Sequence, residues 1–377
     1  MLKGIPCMIM RGGTSKGLFF AEKDLPPPGP ERDRMLLRVM GSPDGRQIDG
    51  LGGAASVTSK VAIIAPSAAE NADVNYTFAQ VAVDKAVVDY KGNCGNISSA
   101  VGPYAIEAGL VTISEPRTVV RILNTNTNKI IHAEVQVRSG QVLYEGEYRI
   151  DGVPGSAAPV KLTFFDPAGS VTGKLLPTGN AVDVLRVPGS GEIEVSIVDA
   201  ANPLVFARVE DAGLTGLELP AEIDSSEEIL RRMEAIRAAA AVKLGFVANA
   251  EEAALKSPAV PKMTLVTRAK AYVTTEGRLV KEEEIDLVGR MMSMQKAHRT
   301  YALTGALCTA AAAAVEGTLV QGLVSLRLDE TSLRIGHPGG VIEAGVETER
   351  HPGGTRLISV SAYRTARLLM KGTAYYL

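Results

Sequence analysis

Tryptophan is absent, and aromatic residues make up only 5% of the chain. A surface that stacks nucleobases is built from aromatic side chains, so this composition excludes one. No charge of one sign prevails either: 40 Lys and Arg stand against 42 Asp and Glu, a net charge of −2. Without a basic field or a basic stripe there is nothing to attract a nucleic-acid backbone. Cysteine is scarce and odd in number, with Cys7, Cys94 and Cys308 only. That argues against a disulfide framework and fits a reducing cytoplasm. The four histidines, His132, His298, His337 and His351, are scattered, and neither His-x-x-x-His nor Cys-x-x-Cys occurs. A dedicated metal site is therefore not expected. No apolar run reaches the roughly 18–20 residues that cross a bilayer. Residues 310–315 are apolar but too short, and the first residues carry no secretory signal pattern.

What is present is an ordinary globular composition, 46% hydrophobic and 22% charged, over 377 residues. That length exceeds one ordinary core and suggests two domains. The Gly- and Pro-rich stretch 151–180 reads as a long surface connection, placing the domains at 1–185 and 186–377, with the last residues packing back on the first domain. Alternating or continuous apolar runs predict strands at 73–89, 118–123, 130–137, 142–150, 193–198, 204–209, 263–266, 323–328, 333–335 and 357–363. Helical spacing predicts helices at 31–40, from 97 to 110, from a Ser225/Glu228 capping box onward, at 282–294, and a short one at 365–371. The methionines of 282–294 read as core filler. The mixture predicts an α/β (mixed α+β) fold. The small-residue run 301–315 echoes the run after Cys94, a weak internal repeat with one such helix in each half.

Gly92-Asn93-Cys94-Gly95-Asn96 is the focal stretch: a turn of small and amide residues that opens an apolar helix. The free N–H groups and positive dipole end of a helix start favour anions, thiolate and substrate carboxylate alike. A thiol there is either a proton-transfer group or a small core hydrophobe. Lys60 stands where the glycine-rich loop 47–53 enters a strand. It is either a solvated surface lysine or an amine partly withdrawn from water and usable as a base. Arg11-Gly-Gly-Thr-Ser-Lys-Gly17 is a glycine turn between two apolar runs. It lacks the spacing of a phosphate loop, and reads as an anion-holding hairpin or a plain one. His298 has a suitable pKa for a base but no local motif beside it. His337-Pro-Gly-Gly340 and His351-Pro-Gly-Gly354 read as turns.

Taken together, Met10-Arg-Gly-Gly-Thr-Ser-Lys-Gly17, Gly41-Ser-Pro-Asp44, Gln47-Ile-Asp-Gly50, Thr58-Ser-Lys60, Asn93-Cys-Gly-Asn96, Asn124-Thr-Asn-Thr-Asn128, Gly173-Lys-Leu-Leu-Pro-Thr-Gly-Asn180, Asn202-Pro203 and Gly336-His-Pro-Gly-Gly340 resemble the methylitaconate delta-isomerase and 2-methylaconitate isomerase family almost end to end. Its relatives include 4-oxalomesaconate tautomerase and aconitate delta-isomerase. The resemblance implies two similar diaminopimelate-epimerase-like domains, each a curled sheet around a central helix, with no metal and no organic cofactor. It assigns Lys60 and Cys94 the catalytic roles. The second thiol of true epimerases is not reproduced: Leu303 and Thr304 are nearer its position than Cys308. Lys296 falls roughly where an epimerase has a carboxylate-binding arginine.

The reaction this implies is a 1,3-proton shift that moves the double bond of an unsaturated di- or tricarboxylate. A keto-enol tautomerase of the 4-oxalomesaconate type, a cofactor-free epimerase or racemase, and a non-catalytic carboxylate-binding protein are the rivals. Thr14, Ser15, Lys16, Asn93, Gly95, Asn96, Asn202, Lys296, Thr304 and Gly305 are the expected substrate-binding residues, the helix-start N–H groups among them stabilising an enediolate. The expected partner is a small unsaturated carboxylate, with neither nucleic acid nor membrane. A homodimer is expected only from the prevalence of twofold assemblies.

Overall fold

The computed structural model describes residues 2–324, 332–351 and 354–377. The chain forms two compact units, one of Met1–Thr163 with Tyr363–Leu377 and the other of Phe164–Ala362. Residues 164–185 thus group with the second unit, and the final strand re-enters the first.

In the first unit the order is β1 (Lys3–Gly12), β2 (Ser15–Ala21), α1 (Pro30–Met40), β3 (Lys60–Pro66), β4 (Val74–Val81), β5 (Val88–Asp89), α2 (Gly95–Glu107), β6 (Arg117–Asn124), β7 (Lys129–Arg138), β8 (Gln141–Val142) and β9 (Pro159–Phe165). β1 and β2 form a hairpin, β2 runs parallel to β3, and β3 pairs antiparallel with β4. Successive side chains of a strand point to opposite faces, and here both faces are covered. Leu18, Phe20, Val61 and Ile63 share a core with Met35, Leu36, Val39 and Met40 of α1. Phe19, between them, turns the other way and meets Tyr104 of α2 at 5.7 Å between ring centroids. Residues Gly95 to Ile106 of α2 are all buried. A helix without a charged residue before Glu107 has no strongly polar face to give to water, and α2 lies among β1, β2, β3, β6, β7 and β8.

The second unit runs β10 (Asp183–Val187), β11 (Gly191–Ala200), β12 (Asn202–Arg208), α3 (Pro220–Ser225), α4 (Glu227–Lys243), α5 (Ala253–Lys256), β13 (Lys262–Arg268), β14 (Tyr272–Val273), β15 (Leu279–Val280), β16 (Leu287–Ser293), β17 (Lys296–Ala297), α6 (Leu303–Ala314), α7 (Leu319–Leu323), β18 (Ser332–His337) and β19 (Gly340–His351). β20 (Gly354–Tyr376) pairs first with β19 and then, beyond residue 362, with β1. Met233, Ile236 and Ala240 of α4 close one core over β11, β12 and β13. The small-residue helix α6 is buried from Leu303 to Ala313 and lies among β11, β12, β18 and β19. Each unit is therefore a sheet with its own central helix.

Five local expectations are corrected. Residues 282–294 are not a helix but a short turn and strand β16, held between β13 and β18. Leu287 to Met292 are buried on both faces, and a central strand has no alternation to betray it. Residues 365–371 are strand, because β1 supplies their hydrogen bonds from the far end of the chain. The connection 151–180 contains β9, whose alternately buried residues pair with β7. Of 142–150 only Val142 is strand, as the end of β8; Tyr148 and Ala157 meet farther on in a single isolated bridge. The cap of α4 is Ser226, one residue later than expected, and its side chain accepts from the Ile229 N–H. The expected strand at 323–328 falls largely outside the described residues, as does part of His351-Pro-Gly-Gly354. His337-Pro-Gly-Gly340 is the turn between β18 and β19. Among the described residues no helix is long and apolar enough to cross a membrane.

Candidate active site

Cys94 is the N-cap of α2, in extended backbone geometry, with no capping hydrogen bond from its side chain. The thiol is free and half-buried. Immediately behind it the N–H groups of the first turn lack helical acceptors, as at any helix start. Asn93 is buried and its Oδ1 accepts from Ser98 Oγ at 3.2 Å. Ser98 Oγ also donates to the Cys94 carbonyl at 3.0 Å, so the turn that presents the sulfur is tied to the helix it opens. Tyr76 is fully buried beside this turn. Burial drives its phenol pKa well up, and a charge on Cys94 adds to the effect.

The β1–β2 hairpin packs directly on that first turn. A Cβ on Gly12 would come within 2.3 Å of the Asn96 carbonyl oxygen, and one on Gly13, at φ +52, within 2.2 Å of Asn96 Oδ1. Only glycine lets the hairpin tip approach so closely. Asn96 Nδ2 donates to Thr14 Oγ1 at 3.1 Å, and Arg364 Nε donates to Asn96 Oδ1 at 3.3 Å. Thr14, Asn96 and Arg364 thus form one polar knot at the start of α2. Ser15 is buried next to it and Lys16 half-exposed.

Lys60 opens β3 opposite Gly17 of β2 and is only 8% exposed. A Cβ on Gly17 would meet the Lys60 carbonyl oxygen at 2.7 Å and Ile97 of α2 at 3.2 Å, so the lysine backbone, the hairpin and the first turn of α2 are close neighbours. Lys60 Nζ donates to Gln80 Oε1 at 2.7 Å and lies 5.2 Å from the centre of the Phe78 ring. Gln80 is fixed in turn, since its Nε2 donates to the Ser59 carbonyl at 2.8 Å and the Ser56 carbonyl at 3.1 Å. The amide therefore presents oxygen, not nitrogen, to the amine. Among the described residues no carboxylate pairs with Lys60, leaving the amine held but not locked in an ion pair.

The remaining candidates lie in the second unit. Asn202 begins β12 and is buried, and its Oδ1 has no hydrogen-bond partner among the described residues. Thr304 and Gly305 are in the buried first turn of α6, where Gly305 packs so tightly that a Cβ would reach Met291 Cε at 2.2 Å. Lys296 is exposed on β17. His298 is buried and its Nδ1 accepts from the Thr300 N–H at 3.1 Å, a local turn contact.

The three thiols differ. Cys308 is fully buried in α6, its Sγ donates to the Val198 carbonyl at 3.3 Å, and burial pushes its pKa far up. Cys7 is buried, and burial raises it as well. A maleimide added to the native protein should consequently react fast with a single thiol per chain, and Cys94→Ser should abolish that phase; mass spectrometry of the labelled peptides checks both.

Three groups here carry no local signal. Gln80, Tyr76 and Arg364 look like unremarkable strand residues, and Arg364 reaches Asn96 from 268 positions away. Desolvation lowers the Arg364 guanidinium to about 10, against an opposing effect of Tyr148. Among the described residues no cluster of three or more His, Cys, Asp or Glu is placed to hold a metal ion.

The family model described as PrpF protein matches residues 2–377. The chain is 49% identical to a 3-methylitaconate isomerase of Eubacterium barkeri, over 98% of this chain and 97% of the relative. It is 42% identical to a 2-methyl-aconitate isomerase of Shewanella oneidensis, over 96% and 94%. It is 44% identical to a 4-oxalomesaconate tautomerase of Pseudomonas putida, over 98% and 95%. The crystal structure of a methylitaconate-delta-isomerase superposes with a TM-score of 0.81 at 48% identity, covering 100% of this chain and 96% of that one. A hydroxyproline epimerase from Agrobacterium vitis shares the fold, with a TM-score of 0.57 at 13% identity over 99% and 92% of the two chains. The chain belongs to the PrpF protein family, has the epimerase-like fold and is an isomerase.

Proposed function

We propose that this PrpF-family isomerase shifts a carbon–carbon double bond within an unsaturated di- or tricarboxylate such as methylitaconate or methylaconitate, without a cofactor, by moving one proton between the ends of a three-carbon unit. The observation that carries the reading is the free, half-buried Cys94 thiol at the start of α2, in the same unit as the amide-held amine of Lys60. The named activities of the relatives supply the substrate class.

In this reading a base takes a proton from the carbon next to one carboxylate, and the electrons move into that carboxylate as an enediolate. The double bond re-forms one position along when a proton is delivered to the far carbon. Atoms and charge balance within the substrate, so no redox partner is required. Carbon acids beside carboxylates are very weak, and the enediolate needs fixed donors in place before it forms. The N–H groups of Gly95 and Asn96 serve that purpose. Lys60 and Cys94 divide proton removal and return. Thr14, Ser15, Lys16 and Asn93 hold the carboxylates.

A two-thiol epimerase is disfavoured, because Cys308 is sealed in the core with its hydrogen given to a carbonyl. A keto-enol tautomerase remains the second reading, favoured by the 44% identity to the oxalomesaconate enzyme. We further place the enzyme in the cytoplasm as a homodimer, which the scarcity of cysteine and the frequency of twofold assemblies favour.

Incubation in deuterium oxide with a panel of these acids, followed by proton NMR, tests the reaction. Migration of the vinyl or methyl resonance in one acid, with deuterium entering the pool, is the expected result. Isomerisation with complete retention of substrate protons requires strictly internal transfer. No change in any acid of the panel rejects the reading.

A further inference from the structure

A cavity of about 380 Å³ lies within the first unit, formed by the 144–157 segment and the inner edge of β1 and β20. That volume is in the range of small-molecule sites, about 300–1,000 Å³. None of Lys60, Cys94, Asn93 or Asn96 lines it. Its walls carry Tyr144, Tyr148 and Leu368 together with three charges, Arg11, Arg367 and Glu145.

The two arginines are direct cross-strand partners: β1 and β20 run antiparallel with Arg11 opposite Arg367. Like charges in that position repel and weaken a sheet. The charge of Arg367 adds to burial in lowering the Arg11 pKa. Arg11 spends a single nitrogen on structure, Nη1 donating at 3.0 Å to the Gly13 carbonyl, the Thr365 carbonyl and Thr365 Oγ1. That anchors the guanidinium and, among the described residues, leaves its Nε and Nη2 uncommitted. Arg367 forms neither an ion pair nor a side-chain hydrogen bond among the described residues, and neither does Glu145. One carboxylate against two guanidiniums leaves the cavity net positive. An arginine pair that faces an open cavity, with one member preorganised and the other free, matches the fork geometry that grips a carboxylate or phosphate from two sides.

We propose that this cavity is a second anion site, separate from Lys60 and Cys94, which takes a small molecule with a carboxylate or phosphate head between Arg11 and Arg367 and an apolar body against Tyr144, Tyr148 and Leu368. The bound anion replaces a cross-strand repulsion with two charge-assisted contacts, so occupancy tightens the β1–β20 pairing that carries the hairpin under Asn96.

Isothermal titration calorimetry of the full chain with succinate, and separately with inorganic phosphate, tests this and tells the two head groups apart. Arg367→Gln is the variant, since that side chain has no structural partner to lose among the described residues and no part in the proposed chemistry. Binding of at least one anion to the parent is expected, weakened about tenfold or more in Arg367→Gln, with turnover of the variant retained. The same anion should raise the unfolding temperature of the parent and not of the variant. Equal affinity of parent and variant for both anions, or no binding of either to the parent, overturns the proposal. Since binding is read directly, a negative result here leaves the isomerase reading standing, and the converse holds.

Discussion

Cys94→Ser should turn over substrate about 10²–10⁴-fold more slowly than the parent, the range in which a positioned acid–base group contributes. Serine keeps the size and the hydrogen-bonding capacity of cysteine, but its hydroxyl gives up a proton far less readily. The fold should not suffer. Cys94 is the N-cap of α2 and makes no capping hydrogen bond, whereas serine is among the preferred N-caps and its oxygen accepts from the first-turn N–H groups. The unfolding temperature should therefore stay level or rise while kcat collapses, and the affinity for substrate should change little. That split separates a chemical role from a structural one. Near-parent turnover in purified, folded Cys94→Ser removes the thiol from the mechanism.

The second large effect is expected at Lys60. Lys60→Ala deletes the amine and leaves Gln80 Oε1 buried without its donor. Turnover should again fall by about 10²–10⁴-fold, accompanied by a loss of about 1–3 kcal/mol in stability from the unsatisfied amide. Because both losses arise at once, Lys60→Arg is the informative companion. Arginine restores a cation and a donor but stays protonated and cannot serve as a base. Stability should recover toward the parent in Lys60→Arg while activity does not. Activity that returns with the charge alone would make Lys60 an electrostatic clamp and leave proton transfer to another group.

The start of α2 was legible because its signal is local: an Asn-Cys-Gly-Asn turn followed at once by a run of mostly small, uncharged residues. Lys60 was legible for the same reason, as a charge at the mouth of Val61-Ala-Ile-Ile64. The partners of both were not. Gln80 meets Lys60 because β3 and β4 pair in one particular register. Arg364 meets Asn96 because β20 returns to β1, and nothing in Tyr363-Arg-Thr-Ala-Arg367 announces it. Residues 282–294 show the opposite failure. Ile285, Val288, Met291 and Met292 fall at helical spacing by coincidence, while the strand beneath is buried on both faces and so carries no period of two. Local chemistry gave the candidate groups, and long-range pairing decided what holds them.

The return of β20 to β1 also sets an order of events during synthesis. Arg11 and Thr365, bonded to one another, are 354 residues apart. A nascent polypeptide emerges at about 5–20 residues per second, so the hairpin over α2 stays without its neighbouring strand until all the residues between them have been added. The early half of the molecule therefore cannot mature by itself: a product released short of Tyr363 carries Lys60 and Cys94 but leaves an unpaired edge along β1, the kind of edge that recruits other chains.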